Sequence, residues 1–398
     1  MTIGIDARFY GPIGKGLGRY VQEVVDNIIK ISAASDEAVA YQEGLKFVVF
    51  LSPENFDEFK EAGPNIKKVK LPCPWYGWKE QFVMPFYLWR EKLDLIHFPH
   101  FNVPIFSPAP FVVTIHDLIL TNFPTVKATT RHHLVYYFKN FAYRLVIYLA
   151  LFRARKIITV SNFTKEDIVR KFRIKPDKIR VIYEGVANLA KGRDSLFVAK
   201  LDSREVLERY HIADNFLLYV GNAYPHKNLE SLLRVFNRLR VARPSLRLVL
   251  VGRSDYFYED VKRLAASLNL WQAANANSPV IFPGYVPDAQ LEILYASARA
   301  YVFPSLYEGF GLPPLEAMAQ SCPVVSSDRA SLPEVLGKAA LYFNPEDSAE
   351  MEEKISRVLD DNDLRSELIR RGHEQAKKYH WWECAQETLA LYREVLLP

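Results

Sequence analysis

The sequence predicts an α/β protein of two doubly wound, parallel-sheet domains, and three observations carry that reading. The chain has 398 residues, too many for one ordinary hydrophobic core, so two domains of roughly 150–200 residues are expected. Short apolar runs that end in polar residues alternate with helical patterns in both halves, as they do when a parallel sheet is covered by helices on both faces. Glycine-bearing turns join strand to helix after the first strand of the first half and after the first and fourth strands of the second. Hydrophobic residues at 49% and charged residues at 24% are the proportions of a globular protein.

In the first half, Thr2–Ala7 reads as a buried strand, and the loop from Tyr10 to Arg19 carries Gly11, Gly14, Gly16 and Gly18 before a helix that runs to about Ile31. Such a turn lets backbone approach a phosphate or a sugar. Its spacing is not the dinucleotide fingerprint and no Lys-Ser/Thr follows, so a plain tight turn explains it as well. Ser32–Gly44 is a polar connection and Leu45–Leu51 a second strand. Pro72–Glu91 holds three tryptophans among other aromatics; aromatic faces stack on sugars and also fill cores, and no residue is assigned there. Asp94–Pro99 and Phe111–His116 read as parallel strands, the second ending in His116-Asp117. Ligands of open parallel sheets bind beyond the carboxyl ends of strands, which suits His116 for function, although a histidine there is also a common structural hydrogen bonder. Asp117 is read as ordering the loop. Lys156–Val160 is a further strand, Ser161 caps the helix after it, and Ile179–Ile182 closes the domain, with Tyr183–Val186 leading out.

Ala187–Arg204 fits a linker plus an entry helix. Phe216–Gly221, Leu246–Gly252, Val280–Phe282 and Tyr301–Phe303 are the strands of a second unit. Lys227 starts a helix six residues past the first of them, where an ammonium can offset diphosphate charge. After the fourth comes SLYEGFGLPPLEAMAQSC, Ser305–Cys322, with Glu308 and Glu316 separated by seven residues. Proline is tolerated in a first helical turn, so a helix is expected to begin near Pro313 or Pro314, turning backbone N–H groups and the positive end of its dipole toward the sheet edge, where an anion is favoured. Glu308 on the loop can accept hydrogen bonds from hydroxyls beside a diphosphate. Glu316 lies along the helix, no more than roughly 12 Å away at 1.5 Å per residue. That scale suits the two ends of one nucleotide sugar. The last run, Tyr379–Leu397, has helical spacing.

Composition narrows the remaining classes. The net charge is +5, but between Thr125 and Arg180 fourteen Lys or Arg face three acids amid Tyr, Phe and Leu. A basic aromatic face of this kind can lie on an anionic membrane or simply pack its apolar side inward. Nucleic acid is not expected, because no recognition motif accompanies the charge. The longest apolar run, Leu145–Phe152, is too short to span a bilayer. Cys73, Cys322 and Cys384 are far apart and odd in number, as in a reducing compartment. The N-terminus opens in a strand rather than a signal sequence. A cytoplasmic protein, or one peripheral on the cytoplasmic membrane face, is expected. Asp361-Asn362-Asp363, the one Asp-x-Asp triplet, lies in a charged surface segment, and no metal or other cofactor is called for.

Glu-x7-Glu in the setting EGFGLPPLEAMA, followed by Pro323-Val324-Val325 and Leu332-Pro333-Glu334-Val335, resembles the family 4 retaining glycosyltransferases of GT-B fold. The likeness runs from Ile3 to the last helix. It implies two Rossmann-like domains facing a central cleft: 1–186 on the acceptor side, 187–378 binding a nucleotide sugar, and a helix at 379–398 packing back on the first. It places Gly14, Lys15 and Gly16 in a loop bordering the donor diphosphate and the acceptor, His116 over the transferred sugar, and Gly284, Tyr285 and Val286 at the base. Lys227 and the N–H groups of Gly309, Phe310, Gly311 and Leu312 would stabilise the departing phosphate. Glu308 and His116 would hold the sugar and Glu316 the ribose. The arginine that usually accompanies the lysine is replaced by Asn222, and Arg253 is the candidate substitute. The resemblance further implies retention of configuration without metal. It is strongest to bacterial mannosyl- and related hexosyltransferases of polysaccharide assembly, hence GDP-mannose as donor in preference to a UDP-hexose, and a saccharide or lipid-linked saccharide as acceptor. A glycoside hydrolase would also use two carboxylates but has no need of Lys227. A non-catalytic sugar binder would suit two such lobes, and a sugar-nucleotide epimerase of the same fold would lack EGFGLPPLEAMA.

Overall fold

The computed structural model describes residues 1–12, 15–33, 44–61, 63–123, 133–186, 202–273, 275 and 277–397, with backbone alone at 15 and 133–140. Of the expected linker and entry helix at 187–204, residues 187–201 lie outside the described residues. Two compact units are present, Met1–Gly185 with His380–Pro398, and Val186–Tyr379.

The first unit begins with β1 (Thr2–Asp6), α1 (Lys15–Ala33), β2 (Lys46–Leu51) and β3 (Ile66–Lys70). It continues through α2 (Trp78–Arg90), β4 (Leu95–Phe98), β5 (Phe111–Ile115), α3 (Ile119–Asn122), α4 (His133–Arg153), β6 (Lys156–Thr159), α5 (Asn162–Phe172) and β7 (Ile179–Val181). Among the described residues its seven strands are all parallel, in the order β3-β2-β1-β4-β5-β6-β7. Apart from Thr2 at the start of β1, the central strands are buried throughout, which is why they read as continuous apolar runs. The edge strand β3, IKKVK, carries charge along its length and is held by its register with β2, Phe47 opposite Ile66. Ser161 caps α5 as expected, its Oγ accepting from Thr164 N at 3.2 Å.

The second unit holds α6 (Ser203–Arg209), β8 (Phe216–Val220), α7 (Leu229–Ala242), β9 (Arg247–Val251), α8 (Tyr256–Ser267), β10 (Val280–Gly284), α9 (Asp288–Ser297) and β11 (Ala300–Phe303). Then follow α10 (Leu312–Ala319), β12 (Val324–Ser327), α11 (Leu332–Leu336), β13 (Ala340–Phe343), α12 (Ser348–Asp360) and α13 (Asn362–Ala376). Its six strands are again parallel, ordered β10-β9-β8-β11-β12-β13. Asp361 of the Asp-x-Asp triplet caps α13, accepting from Leu364 N at 2.9 Å.

The last helix, α14 (Trp381–Leu396), belongs to the first unit and packs on α1. A buried polar ladder pins it there. Tyr392 OH lies 2.6 Å from His97 Nδ1, His97 Nε2 lies 2.8 Å from Thr114 Oγ1, and Thr114 Oγ1 lies 3.2 Å from Tyr20 OH. Burial pulls the His97 pKa down to about 3, so the ring is neutral and supplies one donor and one acceptor. A partner removed from such a ladder leaves a buried polar atom unmatched. Tyr392→Phe is therefore expected to destabilise the first unit by about 1–3 kcal/mol, read as a lower midpoint in urea unfolding; an unchanged midpoint would show the ladder to be dispensable.

Candidate functional site

In the second unit the strand order reverses between β8 and β11. At such a reversal the connections leave in opposite directions and open a crevice at the strands' carboxyl ends. The loop after β8, Gly221–Asn228, and the loop after β11, Pro304–Gly311, border it. Leu306 N donates to the His226 carbonyl at 2.7 Å and ties the two loops together. Across them Lys227 Nζ meets Glu308 Oε1 at 2.6 Å, with side-chain exposures of only 12% and 9%. Lys227 Nζ also stands 5.5 Å from the centroid of the Phe303 ring. The turn Pro225–Lys227 ends at Asn228, whose φ is 58° and whose Nδ2 donates to the Pro345 carbonyl at 3.0 Å. Burial first, then the Lys227 charge, lowers the His226 pKa to about 4, so that ring adds no charge to the crevice at neutral pH.

The Glu308 loop is held from beneath. Ser331 Oγ lies 3.0 Å from the Glu308 carbonyl and 3.1 Å from that of Phe310, and Phe310 packs edge-on against Tyr379 at 5.5 Å. Gly311 has φ +102°, and a Cβ there would lie 2.8 Å from Leu332 Cδ2, so the turn into α10 requires glycine. α10 begins at Leu312, where the proline pair places it. Pro313 and Pro314 carry no N–H, however, so the start of this helix offers fewer donors than the expectation supposed, those of Leu312 and Leu315. Glu316 is buried within α10 and its Oε2 accepts from Tyr295 OH at 3.2 Å.

Three neighbouring strand ends carry Gly221, Gly252 and Gly284. Gly221 N donates to the Val251 carbonyl at 3.0 Å and Gly252 N to the Gly284 carbonyl at 3.1 Å. A Cβ on Gly252 would strike the Gly221 carbonyl and the Tyr258 hydroxyl. Beyond this cradle Tyr285 is exposed with the Arg253 guanidinium 5.1 Å from its centroid, and Val286 is buried. Asn222 orders its own turn, its carbonyl accepting from Tyr219 OH at 2.7 Å and its Oδ1 from Tyr224 N at 3.3 Å. Arg253 therefore stacks on Tyr285, whereas the ion-pair partner of Lys227 is Glu308.

In the first unit the reversal falls between β1 and β4. Gly14 lies outside the described residues, as does the side chain of Lys15, which opens α1. Gly16 is exposed, with open space where a Cβ would stand. Among the described residues, the glycines this turn demands are Gly11, with φ +85°, and Gly18, whose Cβ would strike the carbonyls of Gly11 and Phe9. Below the turn Arg8 is fully buried, its guanidinium bridging Asp6 at 2.7 Å and Glu80 at 2.5 Å.

His116 lies past the end of β5, with Nδ1 2.9 Å from Glu184 Oε1 and Nε2 3.0 Å from the Pro99 carbonyl. The Tyr20 ring meets it edge-on at 4.5 Å. Both partners are acceptors, so the doubly protonated imidazolium fits best. Burial pulls its pKa down, but the hydrogen bond and charge of Glu184, with the Pro99 carbonyl, outweigh that, and the pKa is raised. A ligand hydroxyl must displace one of them to reach a ring nitrogen. Asp117 orders the next turn, its Oδ1 accepting from Ile119 N at 2.8 Å. Glu184 escaped the reading of the sequence; its only signal there is an acid two residues past the last apolar run of the unit. Because the folded His116 pKa is raised, its contribution to stability is fully present below the unfolded value of about 6.5 and is lost as pH rises through the folded value. The excess stability of wild type over Glu184→Gln should thus shrink as pH rises from about 6 through the folded value; a difference flat with pH across that range would exclude a charged pair.

Residues 202–375 match the family described as glycosyl transferases group 1, and residues 41–187 match glycosyltransferase family 4. The O-antigen chain mannosyltransferase B of Escherichia coli is 34% identical over 76% of this chain and 75% of its own length. The O-antigen chain mannosyltransferase RfbU of Salmonella typhimurium is 28% identical over 78% and 81%. Among solved structures, a sucrose-phosphate synthase from Thermosynechococcus elongatus superimposes with a TM-score of 0.72 at 21% identity over 99% of both chains. The lipopolysaccharide glycosyltransferase WaaG gives 0.68 at 14% over 98% and 99%. These two likenesses show the fold, which is GT-B.

Proposed function

This chain belongs to the group 1, family 4 glycosyltransferases, and from that premise we propose that it is a retaining, metal-independent hexosyltransferase. It moves mannose from GDP-mannose to a saccharide or lipid-linked saccharide. The observation that carries the reading is the Lys227–Glu308 pair at the β8/β11 reversal. A nucleoside diphosphate entering that crevice offers Lys227 a second anion. Lys227 then offsets the phosphate charge, and Glu308 is released to accept hydrogen bonds from sugar hydroxyls. The ammonium stands where a divalent cation would otherwise be needed, which supports a donor taken without metal.

The donor's remaining parts follow the strand ends. The diphosphate lies against Gly309–Leu312, the ribose hydroxyls reach Glu316 beside Tyr295, and the base meets backbone at Gly284–Val286. Asn222 and Arg253 shape the rim of the donor site. The first unit, with the turn around Gly14–Gly16 and with His116, takes the acceptor side. There His116, held by Glu184 and the Pro99 carbonyl, presents a fixed ring to a sugar. The acceptor hydroxyl attacks the anomeric carbon on the face the phosphate leaves. The C–O bond to phosphate breaks with its electrons on the phosphate oxygen, which takes the hydroxyl proton, and the configuration is kept. A hydrolase would need a free carboxylate on each side of the bond; here Glu308 is neutralised by Lys227 and Glu316 is buried. Mannose is supported by the names of the relatives in E. coli and S. typhimurium.

Thermal shift with GDP, UDP, ADP and their sugars, in EDTA, tests the donor. A ligand at 100 times its dissociation constant adds about 2.7 kcal/mol. GDP species alone should raise the melting temperature, and Glu316→Ala should weaken the effect; a rise with UDP species alone would retire mannose from GDP-mannose. Proton NMR of the product should show the donor's anomeric configuration, and an inverted product would remove the front-face route.

A further inference from the structure

Two helices of the first unit turn aromatic faces to the outside. On α2, Trp78, Phe82, Phe86 and Trp89 recur at helical spacing with exposures of 73, 72, 58 and 68%. On α4, Phe141, Leu145, Tyr148 and Phe152 do the same, and Phe152 is 65% exposed. The opposite faces, Met84 and Leu88 of α2 and Ile147, Ala150 and Leu151 of α4, enter one shared core cluster. The two stripes therefore look outward from the same layer of the unit. A single exposed aromatic needs no explanation, but seven and a leucine on two helix faces form an apolar patch that water disfavours.

Charge adjoins the patch at one end. α4 finishes at Arg153, just before β6, and α5 finishes just before β7, so both ends lie at the amino-end edge of the sheet. Between them runs a groove of about 800 Å³ walled by Tyr148, Phe152 and Phe172. Arg155, Arg173 and Lys175 line it and, with Arg153 beside it, are exposed and make no side-chain hydrogen bond or ion pair among the described residues. Arg90 and Lys92, exposed at the end of α2, bring further positive charge. Tyr148 and Phe152 stack at 6.2 Å, and Lys178 Nζ donates to the Phe152 carbonyl at 2.6 Å, which steadies the rim.

We propose that the outer faces of α2 and α4, with the groove at the end of α4, form a docking surface for an anionic phospholipid bilayer. The aromatic stripes enter the headgroup boundary and the unpaired cations receive lipid phosphates. Aromatics along a helix with Lys and Arg at its rim are what an interfacial helix presents to lipid. No helix among the described residues is long and apolar enough to cross a membrane, so the contact is made from one side. Residues 124–132 of the basic region lie outside the described residues, and α2 adds to it a surface that the sequence left unassigned. Both helices begin beyond strand carboxyl ends, α4 following β5 and its His116, so the docked face reaches the edge where an acceptor would be taken.

Co-sedimentation of the full chain with vesicles tests this without any sugar donor, so its failure is separable from failure of the transferase reading. Wild type should bind vesicles of phosphatidylcholine mixed with phosphatidylglycerol at low salt, bind pure phosphatidylcholine far less, and show a blue shift of tryptophan fluorescence from Trp78 and Trp89. Arg155→Gln with Arg173→Gln and Lys175→Gln should weaken binding by about 100-fold. Phe82→Ser with Phe152→Ser should weaken it while leaving the melting temperature unchanged. Inorganic phosphate that stabilises the protein through the same three cations, with no vesicle binding, would assign the groove to a soluble anion and overturn the proposal. Concentration-dependent dimerisation lost in Phe82→Ser with Phe152→Ser would assign the stripes to a second copy and overturn it too. Equal binding to neutral and anionic vesicles, or none to either, would also overturn it.

Discussion

An ammonium and a carboxylate held 2.6 Å apart in a largely buried crevice organise the loops at the strand reversal of the second unit. Each charge alone would be costly to bury, and the pair is tolerable because each neutralises the other. The rest of the crevice is arranged to keep them in register. The Leu306–His226 backbone bond aligns the two loops, Ser331 fixes the carbonyls of Glu308 and Phe310, and Gly311 allows α10 to start where it does. On the proposed function, a diphosphate would meet a cation already positioned, and little reorganisation would be required for it to displace the carboxylate.

The first unit applies related physics with a different outcome. His116 is held by acceptors at both nitrogens and carries its proton. His97, in the ladder to Tyr392, is buried neutral. Two histidines, one on β4 and one just past β5, are thus shifted in opposite directions: burial and the His116 charge lower the first, while Glu184 offsets burial at the second. His116 suits an electrostatic task at a strand end, and His97 anchors α14 to the sheet.

Much of this was legible in the chain. Apolar runs ending in polar residues located the central strands of both sheets, because those strands are buried on both faces. Lys227 and Glu308 were each singled out, and the fold brings them together across 81 residues. The missed features share a cause, since each depends on a partner distant in sequence. IKKVK has the charge of a surface loop and becomes β3 only through its register with β2. Glu184 is one acid among many until His116 arrives 68 residues away. In the glycine loop, which glycine is required follows from the nearness of the Phe9 and Gly11 carbonyls to Gly18, not from spacing. In α2 apolar residues occupy both faces, so periodicity could not distinguish the face packed on the core from the one turned outward.

Calorimetric binding of the nucleoside diphosphate that stabilises the protein, compared between wild type and the charge-balanced Lys227→Met with Glu308→Gln, isolates the role assigned to the pair. Loss of a charged hydrogen bond predicts binding weakened by about 10- to 100-fold, with the parent nucleoside bound as before. Equal affinity of both proteins for the diphosphate would contradict the placement of the phosphate on Lys227.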